Sequence, residues 1–93
     1  MAKKTPEYLK EGEGYTDITL SRPFDMNGTG IKVVRMREPL VSDQEAASSV
    51  KGNDALVELT MFANLCEWSL EDLRRLPMKD YIRLRDAYLG FIG

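Results

Sequence analysis

The 93-residue chain has no histidine and a single cysteine, Cys66. Without imidazole there is no Ser-His or Cys-His nucleophile pair and no histidine-based metal site. One thiol can build neither a disulfide within the chain nor a thiolate zinc site, and lone cysteine use fits a reducing cytoplasm. No run of about 18 apolar residues occurs, so no segment is expected to span a membrane. A formal net charge of −2 lacks the basic excess of a polyanion binder. The opening Met1-Ala2-Lys3-Lys4-Thr5-Pro6 lacks the apolar stretch of a secretory signal. Gly28-Thr29-Gly30 is not followed by the Gly-Lys-Ser/Thr ending that a phosphate-cradling loop needs. Carboxylates are plentiful, but they stand where caps and solvated faces would put them. No catalytic, metal or cofactor constellation emerges, and a non-enzyme is expected.

What is present suits one domain with a modest core. Residues 1–14 are mixed in charge, with Gly12 and Gly14 and only Tyr8 and Leu9 as large apolar groups. That composition predicts a mobile tail, or an arm anchored by Tyr8 and Leu9 on a partner. Residues 15–93 are expected to form a single α+β domain: an N-terminal β-hairpin packed on three to four C-terminal α-helices.

The alternation of Asp17, Ile18, Thr19 and Leu20 predicts a half-buried strand over 15–20. Pro23 marks its end or an exposed edge. Asn27-Gly28 predicts a tight hairpin turn, and the chain returns as a strand over 31–36. A lone hairpin needs helices or another edge to lie on, and that edge could also add strands from a second copy or a client. Pro39 has no N–H for a ladder and stops the strand. Ser42 and Glu45 have capping-box spacing, which predicts a helix over 43–50.

A second helix is expected over 54–67. Leu56, Leu59, Phe62, Ala63 and Cys66 gather on one arc, and Val57, Met61, Leu65 and Trp68 on another. A helix apolar on two sides is either central in its fold or keeps one side for a partner. Ser69 and Asp72 predict a further helix start. Pro77 then opens a last helix over 77–92. Met78, Ile82, Leu89 and Ile92 make one stripe on it; Tyr81, Leu84, Tyr88 and Phe91 make the adjacent one. Arg85 lies inside the apolar arc and calls for an acidic partner or an outward-reaching head group. Arg74, Arg75, Lys79, Arg83 and Arg85 cluster, but acidic neighbours point to a solvated face with pairs such as Glu71 to Arg75.

Several of these residues carry a likeness. Leu20-Ser21-Arg22-Pro23, the Asn-Gly turn, Met36-Arg37-Glu38-Pro39, then Leu73-x-x-Leu76-x-x-x-Asp80 with Leu84 and Phe91 resemble the small tail assembly chaperones of Mu-like and related contractile-tailed phages. The resemblance implies a non-catalytic role without cofactor. The partner it implies is the tape-measure protein, a long helical chain kept soluble in the host cytoplasm until tail-tube subunits polymerise around it. It also implies absence from the mature virion, and in related phages a longer frameshifted product. It supplies no site residues. From periodicity alone, Val57, Met61, Leu65 and Trp68, with Tyr81, Leu84, Tyr88 and Phe91, are the expected partner surface. A homo-oligomer is a further expectation, through a leftover stripe or strand edge. The competing readings are a structural tail or head component and a small regulatory nucleic-acid-binding protein using the Arg74 to Arg85 cluster.

Overall fold

The computed structural model describes residues 5–93. Three antiparallel strands precede four helices: β1 Leu9–Gly12, β2 Tyr15–Met26, β3 Thr29–Arg37, α1 Val41–Ser48, α2 Asp54–Cys66, α3 Leu70–Arg74 and α4 Met78–Ile92. The sheet is a meander in the order β1-β2-β3. One face is solvated and the other packs on the helices, as the alternation in β2 requires. Thr16, Ile18, Leu20 and Phe24 of β2 and Val34 and Met36 of β3 point inward and are buried. On the solvated face Arg35 stands directly across from Asp17, bonds it at 2.8 and 3.0 Å and covers the Tyr15 ring.

The expected two-stranded hairpin is therefore three-stranded, and the expected tail is in part a strand. Leu9 pairs with Ile18 and Gly12 with Tyr15. Gly14 supplies the positive φ of the connecting turn, +82°. Lys3 and Lys4 lie outside the described residues. Charge and glycine content hid β1 because its cues are only two residues long, and both act at long range. Leu9 packs against the core. The Tyr8 hydroxyl donates to Asp86 of α4, which pushes the phenol pKa up, and Arg83 covers the ring.

The Asn27-Gly28 turn forms with both residues at positive φ, 54° and 87°, the geometry of a type I′ hairpin turn. Both flanking strands run longer than expected. Between Thr19 and Phe24 the register slips: Leu20-Ser21-Arg22-Pro23 stands opposite Lys32 alone. This bulge places Ser21 on α4. The Ser21 N–H and Oγ–H donate to the Asp80 carboxylate at 2.8 and 3.0 Å, and Asp80 is 1% exposed. Asp80 sits in the first turn of α4 as expected, but its carboxylate ties that helix to the sheet. Two of the motifs quoted above are the two halves of this contact. Asp80→Ala is expected to cost about 2 kcal/mol, since both bonds are charge-assisted, and Asp80→Asn about half as much. Urea unfolding at unchanged m-value checks it.

The strand-to-helix joint also differs from the Ser42/Glu45 capping box. Helix α1 starts at Val41, and Asp43 accepts from the Leu40 N–H at 2.8 Å. Arg37 grips the same carboxylate at 2.7 and 2.8 Å. That bidentate pair draws the helix start two residues earlier than the capping-box spacing implied. The Arg37 guanidinium holds the Asp43 carboxyl below its ordinary value of 3.8. A depressed folded pKa contributes stability above the unfolded value and loses it as pH falls through the folded one. Wild type should therefore weaken steadily below about pH 4, and Asp43→Asn should flatten that limb while lowering stability near neutrality. Thermal midpoints between pH 2 and pH 7 give the comparison.

Asn53 caps α2, accepting from the Leu56 N–H at 2.9 Å, and Ser69 caps α3 from Asp72 at 3.1 Å. At Glu67 the chain turns left-handed, φ 57°, and delivers Trp68 to the Phe24 ring, 5.0 Å between centroids. Arg75 covers the same ring. Arg75 pairs with Asp72, not Glu71. Cys66 is buried, and burial pushes its thiol up to about 12, so it is an inert core group.

Candidate functional site

Helix α2 is the centre of the fold. Both of its arcs face protein: Met61, Phe62, Ala63, Leu65 and Cys66 are all buried. Phe62 lies between Tyr81 and Tyr88 of α4, 5.4 Å from each ring centroid. Of the eight expected partner residues, Met61, Leu65 and Leu84 are 6, 1 and 0% exposed and present nothing to a partner. Val57, Trp68, Tyr81, Tyr88 and Phe91 are half-buried and pack against the core. The reason is geometric. In a domain this small the central helix needs one arc for the sheet side and one for its helical neighbours, which uses both.

Among the described residues, four of the seven large exposed apolar side chains lie on the other stripe of α4; the remaining three are Val33, Leu40 and Val41. Asp80, Leu84 and Ala87 turn inward, so the opposite face looks out. On it Met78, Ile82, Leu89 and Ile92 are 66, 45, 52 and 58% exposed. With Arg85 between them, positions 78, 82, 85, 89 and 92 step by four and three residues alternately. That is the spacing of a coiled-coil seam, in which each apolar knob enters a hole of a facing helix. Arg85 sits at the central layer. Its guanidinium donates to Glu58 Oε1 of α2 at 3.0 Å, the acidic partner its position called for. Tyr81 donates to the same oxygen at 2.7 Å; burial and this bond raise the Tyr81 pKa.

Two grooves flank the seam. One, about 600 Å³, opens between the start of α2 and the α3–α4 corner. Leu56, Leu59, Leu73, Leu76 and Tyr81 line it, and Met78 and Arg85 of the seam form its lip. The other, about 440 Å³, lies between β1 and the end of α4, with Leu9 and Leu89 in its wall. Each groove shares a side chain with the exposed row, Met78 in one and Leu89 in the other, so apolar exposure is grouped along α4. Periodicity found both stripes of α4 but not which one the core would take. The deciding signal was Asp80, on the face of α4 next to Leu84.

The basic cluster is largely engaged internally. Arg75 bonds Asp72 and the Asp25 carbonyl, Arg83 the Thr19 carbonyl, and Arg85 Glu58. Among the described residues no group of His, Cys, Asp and Glu could hold a metal ion. No described helix is long and apolar enough to cross a membrane.

The fold is that of a small α+β domain whose last helix leaves a heptad-spaced apolar row exposed. The comparison with known families gives the more particular assignment. Residues 17–93 match the model of the family described as phage tail assembly chaperone proteins, E, or 41 or 14, and the chain belongs to that family. No curated protein and no solved structure matches it. The match begins inside β2, so it takes in the bulge, the Asn-Gly turn, the Arg37 joint and every helix. The family's role is that of a chaperone for a tail protein.

Proposed function

We propose that this chain binds the tape-measure protein through the outer face of α4 and keeps it soluble in the host cytoplasm until the tail tube polymerises. The observation that carries the reading is the row Met78, Ile82, Leu89 and Ile92, exposed on one helix face. A long helical client left alone exposes apolar stripes of its own, and a seam of this spacing covers them side by side. Binding needs no nucleotide and no catalysis. Contact through one helix face, without an enclosed cavity, also suits a client that must later be handed to tube subunits.

The test is co-expression with the tape-measure protein of the same phage. Alone, the client is expected in the pellet; with the chaperone, it is expected in the soluble fraction and to co-purify. A client that stays insoluble, or is soluble without co-purifying, refutes the reading.

A further inference from the structure

We infer that the α4 seam selects a client helix carrying a carboxylate within its own apolar seam, at the layer facing Arg85. This rests on the docking face proposed above and adds the chemistry of its occupant.

Arg85 occupies the middle layer, with Ile82 and Met78 on one side and Leu89 and Ile92 on the other. A helix laid along the four apolar residues crosses the Arg85 position between Ile82 and Leu89, with the guanidinium at its edge beside Glu58. A wholly apolar facing helix would strip water from that charge and return nothing. A second copy of this chain is no better. Laid parallel and in register, it sets Arg85 on Arg85; laid antiparallel, it sets Arg85 against Ile82 or Leu89. Neither arrangement puts a carboxylate at the seam position facing Arg85; the second copy's Glu58 is already engaged by its own Arg85 and Tyr81.

Internal pairing leaves Arg85 with capacity to spare. Its side chain is 44% exposed, and the hydrogen bond it donates to a side chain runs from one terminal nitrogen to Glu58 Oε1. A guanidinium carries five N–H donors in a rigid fork. A carboxylate from the facing helix can take a pair of them side by side, while Glu58, also held by Tyr81, stays in place. Charge in a seam layer is the device by which coiled coils fix register and partner. Here it would align the client and disfavour self-pairing.

The probes are three synthetic amphipathic helices, about three heptads long, with leucine at every seam position except a central one holding Glu, Gln or Lys. Fluorescence anisotropy with the full chain should rank Glu at least about fivefold tighter than Gln, and Lys weakest. In the doubly swapped variant, Glu58→Lys with Arg85→Glu, the bridge between α2 and α4 is kept with its signs inverted. That variant should prefer the Lys peptide. Arg85→Gln, which leaves Glu58 without its cation, should lose the preference for Glu over Gln and serves if the swap fails to fold by circular dichroism. Equal binding of the three peptides by wild type overturns the inference and leaves the docking face standing. So does a Glu preference that survives in either variant. Failure of all three peptides to bind wild type overturns the docking face itself, and this inference with it.

Discussion

Placing aspartate at both Ile82 and Leu89 is expected to abolish solubilisation of the tape-measure protein while leaving the chaperone folded. Both side chains are about half exposed, so the native state loses little packing. Each new carboxylate also falls within one helical turn of Arg85, where an opposite charge supports a helix. The fold should shift by no more than about 0.5 kcal/mol per site. Docking loses two aliphatic anchors, worth about 1 kcal/mol apiece because half of each is already buried. Together that is roughly thirtyfold in Kd, before counting the two carboxylates that would have to be desolvated. Thermal unfolding and the soluble fraction on co-expression give the two readouts. A folded double variant that still solubilises the client removes α4 from the interface.

Truncating the centre of the fold should do the reverse. Phe62→Ala removes a ring that is fully buried between Tyr81 and Tyr88. Loss of so large a core side chain costs about 3–5 kcal/mol, a large share of the 5–15 kcal/mol typical of a whole domain. Met61→Asp should be at least as damaging, since it leaves an unpaired charge among apolar groups. These variants are expected to lose client handling together with the folded state, seen as a collapsed far-UV signal or a midpoint below the assay temperature. The contrast between Met61→Asp and Ile82→Asp separates core from interface. A folded Met61→Asp chain that had lost only its client would return α2 to the docking surface.

The two grooves beside the seam bear on the same question. Each shares a residue with the row of exposed side chains: Met78 for the groove at α2, Leu89 for the one at β1. Groove side chains therefore border the exposed row at both ends of α4. The β1 strand, with Leu9 in one wall of its groove, borders this row even though residues 5–16 fall outside the family match.

The sequence by itself determined the class of fold, the tight turn, the end of β3 near Pro39, two of the four helices to within about a residue and the start of a third, and the family. Each of these rests on local chemistry: a residue that tolerates positive φ, a missing N–H, a hydroxyl three residues before an amide, a stripe of period 3.6. Only the tertiary structure decided which apolar stripe is core. Periodicity says how wide an apolar arc is, but its orientation depends on what stands opposite. Here the Ser21 bulge receives Asp80, and Phe62 enters between two tyrosines. Those long-range contacts rotate α4 so that Leu84 faces in and Ile82 faces out. Tertiary contact also fixed β1: Leu9 pairs with Ile18 across the short turn at Gly14, but Tyr8 finds its partner, Asp86, on α4, far away in the chain and invisible to any window of neighbouring residues.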